Sequence, residues 1–167
     1  MHMIDAARVD ALLSYPALID VLDDGFRRGA QSPLRHHHQI DRGDLAEATL
    51  LLMPAWTLAE GSQTAAGPYA GVKLVTVTPD NSVRHALPAI SALYLLIETD
   101  TGQACALIDG AKLTVWRTAA ASGLASRYLS RPDSRHLLMV GAGALAPYLV
   151  RAHASVRPIE RVTIWNR

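Results

Sequence analysis

The stretch LLMVGAGALAPYLV, Leu137 to Val150, leaves a chain little conformational choice. An apolar run with strand character stops at two glycines one residue apart, and a helical run follows. Gly141, Gly143 and Ala146 fill the three small-residue positions of a G-x-G-x-x-G/A turn. The first lets the backbone turn sharply out of the strand, the second lets a pyrophosphate approach, and the third keeps the helix close to the sheet. The helix start, with Ala144 and Leu145, then offers unpaired amides and a partial positive charge to phosphates. A second apolar strand, ERVTIWNR, completes a β-α-β unit. The segment reads as a dinucleotide-binding turn, against the alternative of a tight β-α connection that holds no ligand.

The end of the second strand carries the ribose signal. An NAD site places Asp or Glu there to accept from the 2′-hydroxyl. Here the chain reads WNR, and Asn166 and Arg167 can donate to a 2′-phosphate that a carboxylate would repel. The expected cofactor is therefore NADP(H) in preference to NAD(H). Two parallel strands and one helix leave an open apolar edge, whereas a doubly wound domain needs several strands. Residues 131–167 thus read as the opening of an incomplete dinucleotide-binding domain, and the chain as part of a longer protein.

Upstream, residues 1–130 have the size and pattern of an α/β domain. SYPALIDVLDDGFRRGA places Leu18, Ile19, Leu22 and Phe26 on one helical face, with Ser14 as N-cap and Gly29 as terminator. ATLLLMPAWTL and YAGVKLVTVTP read as strands, with AEGSQTAAGP as the loop between them. PAISALYLLIET and QACALIDG flank DTG, a hairpin signal. AKLTVWRTAAASGLASRYLS turns helical and stops at Pro132, and the composition shifts at SRPDSRH. RHLLMVGAG reads as a buried strand.

Half of the residues are hydrophobic and 19% are charged, so a packed core is expected and disorder is not. A net charge of +1 lacks the basic excess expected of a nucleic-acid partner. One cysteine, Cys105, excludes an internal disulfide framework and sits in an apolar strand as a core residue. No secretory signal and no membrane-length apolar run is evident, so a cytoplasmic protein is expected. RHHHQ, from Arg35 to Gln39, would put His36 and His38 on one face of a strand without a nearby acid or cysteine pair, so no metal is expected. Asp109 and Gly110 suit a helix cap, and TPDN, residues 78–81, a turn.

Several phrases together carry a resemblance: LLMPAW, GVKLVTVTPDN, LPAISALYLLIETDTGQACALIDG, LTVWRTAAASGLASRYL, LLMVGAGALAPYLVRAH and VTIWNR. The chain resembles the ornithine cyclodeaminase/mu-crystallin family over nearly its whole length. The resemblance implies a mixed-sheet α/β domain for substrate binding and homodimerisation, followed by a Rossmann domain that binds NAD(H) or NADP(H). It implies hydride transfer at the α-carbon of an amino or imino acid. Lys73 matches the family's active-site lysine, and Arg117 an arginine that grips the substrate carboxylate. Arg35 sits where a second carboxylate-binding arginine lies, and Thr118 where cofactor phosphate is met. The family's catalytic aspartate is expected beyond residue 167. The chemistry suits these groups: a guanidinium pairs bidentately with a carboxylate, and a lysine can polarise and orient the substrate.

One departure bears on substrate. Leu51 stands where the ornithine-specific enzyme has an acid to hold the distal amine, and an apolar side chain cannot pair that charge. The resemblance therefore points to an NAD(P)H-dependent reductase of a cyclic imino acid, of the Δ1-pyrroline-2-carboxylate or ketimine type. The alternatives are ornithine cyclodeaminase itself and a non-catalytic, crystallin-like NADP(H)-binding protein.

Overall fold

The computed structural model describes residues 1–58 and 68–167. The loop read at residues 59–68 lies outside the described residues except for Pro68. In chain order the elements are β1 (His2–Ile4), α1 (Ala6–Leu12), α2 (Tyr15–Arg28), β2 (Ala30–Gln31), β3 (His36–Ile40), β4 (Ala48–Thr57) and β5 (Tyr69–Val77). There follow α3 (Asn81–His85), β6 (Ile90–Glu98), β7 (Ala104–Asp109), α4 (Gly110–Leu129), β8 (His136–Val140), α5 (Ala146–Ala154) and β9 (Arg161–Trp165). They form two compact units, Met1–Ala11 with Arg28–Leu113, and Leu12–Arg27 with Thr114–Arg167. The composition shift at SRPDSRH falls inside the second. No helix among the described residues is long and apolar enough to cross a membrane.

The first unit is built on a seven-stranded sheet in the order β1-β7-β6-β5-β4-β2, with β3 also paired to β4. β4 to β7 form an antiparallel meander, and β1 joins β7 in parallel. The DTG turn forms as expected: Gly102 takes φ +70° and its amide donates to the Glu98 carbonyl at 2.9 Å. Pro54 lies inside β4, where a missing amide would ordinarily break a ladder. On that edge β4 pairs with β3 as far as Leu52 and with β2 from Trp56, so Pro54 falls between the two partners. Asp109 caps α4 by accepting the Lys112 amide at 2.7 Å. Gly110 is needed beside it, because a β-carbon there would come within 2.8 Å of the Leu93 backbone.

The second unit packs around the small-residue face of α4. Ile19, Ala119, Ala120 and Ala152 are fully buried, and Tyr15 stacks on Trp116 at 4.5 Å between ring centres. At Gly123 a β-carbon would lie 3.0 Å from Ile19 Cδ1 and 3.1 Å from the Ala152 carbonyl oxygen, so α2, α4 and α5 meet where a side chain is absent. α2 ends at Gly29, φ +77°, as its sequence predicts, but Phe26 departs from the expected apolar stripe and is 71% exposed. At that level the facing turn of α4 carries Arg127 and Tyr128, which bond Asp20, Asp23 and Arg27. The contact there is polar, and Phe26 turns away from it.

β8 is a strand, as expected, but not a fully buried one. Leu137 and Met139 share a face with Val162 and Ile164 of β9, over which α5 lies, and are half-buried. Leu138 and Val140 point to the opposite face and are mostly exposed.

The C-terminal turn of α4 is closed by a residue from beyond α5. Arg157 donates through Nη2 to the carbonyls of Ser126, Arg127 and Ser130 at 3.0, 2.6 and 2.9 Å, and through Nε to Ser130 Oγ at 2.8 Å. A guanidinium here satisfies orphan carbonyls and complements the negative helix end. Arg157→Ala should cost about 1.5–3 kcal/mol of stability. In hydrogen exchange, the amides of the last α4 turn should lose protection first. Retained protection there would show that the guanidinium does not hold the helix end.

α4 and α5 are also joined by a hydrogen bond between Ser122 Oγ and His153 Nε2 at 3.1 Å. Burial holds the His153 imidazole below its ordinary value of 6.5. As pH falls below 6.5 the unfolded chain takes up a proton that the folded one resists, so stability declines and then levels off below the folded-state value. His153→Gln, which can still bond Ser122, should flatten this part of the melting-temperature profile between about pH 7.5 and about pH 5. An unchanged profile would assign the acid loss to other groups.

Candidate active site

The two glycines of the β8–α5 turn differ physically. Gly141 takes φ +109°, a conformation that L side chains rarely adopt, and its amide donates to the Trp165 carbonyl at 2.7 Å. Its glycine is required by the backbone. Gly143 has no positive φ, and a β-carbon there would meet nothing within 4 Å. The packing of the described residues does not demand a glycine at that point, and among them the space above it is open. Ala146, the third small position, is 7% exposed and packs inward.

α5 begins without a side-chain cap, at Leu145, with Pro147 in its first turn. The Gly143, Ala144 and Leu145 amides donate to no group among the described residues. An open glycine and uncapped amides at a positive helix end fit a dinucleotide pyrophosphate. Asn166 and Arg167 follow β9 directly and stand beside this turn, because the Trp165 carbonyl accepts from Gly141. Arg167 is exposed, and Asn166 Nδ2 donates to the Arg167 carbonyl at 3.0 Å.

Arg117 and Thr118 lie on α4 in the same unit. Trp116 meets Tyr148, in the first turn of α5, edge-on at 6.3 Å, while Ser122 and Gly123 meet His153 and Ala152 in its last. The helices therefore run side by side in the same direction, and Arg117 and Thr118 stand level with the start of α5, the end that carries the glycine turn. Arg117 is exposed and makes no ion pair or hydrogen bond among the described residues. Thr118 Oγ1 donates to the Thr114 carbonyl at 2.6 Å, which fixes the hydroxyl and leaves its oxygen able to accept.

Lys73 and Arg35 belong to the sheet unit. Lys73 is half-buried in the middle of β5, paired with Met53 on one side and Tyr94 on the other. Strand alternation puts Gly71, Val75, Leu51, Met53 and Ile108 on the face of Lys73. Arg35 immediately precedes β3, at the position that continues the alternation onto this face. His37 shares the face, and His36 and His38 point to the other. Among the described residues no three His, Cys, Asp or Glu side chains gather as metal ligands. Cys105 is half-buried with Sγ 3.6 Å from the Gln103 carbonyl. Lys73 and Arg35 thus fall in one unit, and Arg117, Thr118 and the glycine turn in the other.

Sequence reasoning passed over Tyr94 and the Ser122–His153 pair. A tyrosine in an alternating strand is ordinary, and only the register shows that it faces Lys73. The histidine and serine are 31 residues apart, with no local signal joining them.

The chain is 40% identical over 168 residues to the SAR DEFICIENT 4 protein of Arabidopsis thaliana, covering 98% of this chain and 49% of that protein. It is 38% identical over 169 residues to the Δ(1)-pyrroline-2-carboxylate reductase of Colwellia psychrerythraea, covering 100% of this chain and 50% of that one. The fold matches the solved structure of the Thermococcus litoralis Δ(1)-pyrroline-2-carboxylate reductase in complex with NADH and L-proline. There the TM-score is 0.80 and the identity 28%, with 99% of this chain and 49% of that chain covered. The chain spans about half the length of the curated relatives it matches. The family profile matches residues 1–167 throughout, and the chain belongs to the ornithine cyclodeaminase/mu-crystallin family.

Proposed function

We propose that the whole protein is an NAD(P)H-dependent reductase of a cyclic imino acid, of the Δ1-pyrroline-2-carboxylate type, working as a cytoplasmic homodimer. The observation that carries this reading is the open glycine turn at the uncapped start of α5, in a chain whose relatives include such reductases. Residues 131–167 would open the dinucleotide-binding domain. Gly141, Gly143, Ala144 and Leu145 would hold the pyrophosphate, with Thr118 contributing its hydroxyl oxygen to phosphate binding. When bound, the nicotinamide cofactor supplies the hydride. Lys73 orients and polarises the imino acid, and Arg35 and Arg117 grip its carboxylate. The second sheet face supports a dimer: Leu50, Leu52, Leu74, Leu93 and Leu95 line it, and Leu74 and Leu93 are 37% and 47% exposed.

The cyclodeaminase reading is weakened by Leu51, which lies on the Lys73 face and offers no acid to a second amine. It would give ammonia from ornithine with no net cofactor oxidation. A non-catalytic binder would hold NADPH without turnover. The full-length protein should instead oxidise NADPH in the presence of Δ1-pyrroline-2-carboxylate, and Lys73→Ala should lower kcat/KM by about 100-fold or more while cofactor affinity is kept. No NADPH oxidation with any of a panel of cyclic imines would sink the proposal.

Asn166 and Arg167 support NADPH as the preferred cofactor. A charge-assisted contact to the 2′-phosphate is worth about 1.5–3 kcal/mol, so NADPH should bind about 10- to 100-fold more tightly than NADH. Arg167→Ala should remove most of that preference and leave NADH binding unchanged. Titration of both cofactors checks this, and a preference that survives the substitution would place phosphate recognition elsewhere.

A further inference from the structure

Tyr94 pairs directly with Lys73 across β5 and β6 and shares its face of the sheet. Its ring leans along the sheet and lies over Gly71, where a β-carbon would collide with the phenol oxygen and Cζ. Gly71 has no positive φ, so it is the phenol, not the backbone, that requires a glycine there. The ring is thus seated in one place before any ligand arrives.

The hydroxyl has no hydrogen-bond partner among the described residues; Tyr94 is half-buried, and its oxygen still reaches solvent. It is therefore left to bond water or an incoming ligand. Apart from Lys73, the neighbouring side chains on this face, Met53, Ala55, Leu96 and Ile108, offer no oxygen or nitrogen. Desolvation raises the phenol above its ordinary value, so it stays protonated and able both to donate and to accept. Adjacent strands are about 4.8 Å apart. Tyr94 stands one strand from Lys73, and the Arg35 position stands two strands away on the other side. Lys73 therefore lies between a seated hydroxyl and, two strands away, the chain position of Arg35.

We propose that Tyr94 is a substrate-positioning residue, its hydroxyl hydrogen-bonding the imino acid held at Lys73 and Gly71 providing the seat for its ring. This rests on the reductase reading above and adds a contact to it.

The test is steady-state kinetics of the full-length protein with Δ1-pyrroline-2-carboxylate at saturating NADPH. Tyr94→Phe keeps the ring and removes only the hydroxyl. It should raise KM about three- to tenfold, the worth of one neutral hydrogen bond, with kcat and NADPH affinity nearly unchanged. Gly71→Ala, which displaces the phenol, should shift KM in the same direction. A Tyr94→Phe enzyme with wild-type KM would overturn the inference while leaving the reductase reading intact. So would a loss confined to kcat. Failure of the wild type to reduce any cyclic imine would instead overturn the reading itself, and this inference with it.

Discussion

The second unit depends on the absence of side chains along one face of α4. Ala119, Ala120 and Gly123 let α2 and α5 come close enough that Ile19 and Ala152 are fully buried against them. Interiors pack near crystalline density, so such a contact tolerates little sliding. The Ser122–His153 hydrogen bond and the Arg157 clasp on the helix end fix the same alignment by polar means. A single register of α4 against α5 follows, and it sets the level at which Arg117 and Thr118 stand beside the glycine turn. The alanine run, which sequence reading takes as helix propensity, therefore also serves packing and, through it, the placing of two candidate site residues.

A similar division of labour separates glycines that look alike in sequence. Gly141 answers to the backbone, Gly110 and Gly123 to neighbouring backbone and side chains, and Gly71 to the Tyr94 ring. Gly143 answers to nothing within the described residues. Gly25, within α2, shares that openness, so Gly143 is set apart by its place at the start of α5 and not by openness alone. There the open glycine stands beside the uncapped α5 amides, an arrangement that suits a phosphate-bearing ligand.

Much of this was legible in the sequence because its signals are local. The glycine spacing, the DTG hairpin, the Asp109 cap and the Gly29 stop each act within a few residues, and each appears where expected. What escaped depends on partners far along the chain. β1 has three residues, too few to show alternation, and exists because β7 offers it a parallel edge. Phe26 has the right helical spacing for burial, yet polar residues of α4 occupy the facing level. Leu138 and Val140 are as apolar as Leu137 and Met139, and among the described residues α5 covers only the face of the second pair. Of the candidate site, the residues come from the sequence and its family resemblance, while their grouping on sheet and helix faces comes from register.

The character of the Lys73 face bears on what it can hold. Its neighbours Leu51, Met53, Val75 and Ile108 are apolar, so a ligand there exchanges water for hydrocarbon over most of its surface. A second ammonium group, with Leu51 where an acid would be needed, loses hydration without gaining a partner, which is costly in such surroundings. A small ring with one carboxylate and one ring nitrogen loses little, because its apolar edge suits the leucine and methionine and its charge is confined to one end. On the reductase reading proposed above, a face of this kind would suit a cyclic imino acid better than a diamine, and Lys73, Tyr94 and the Arg35 and His37 positions are the polar groups it would offer.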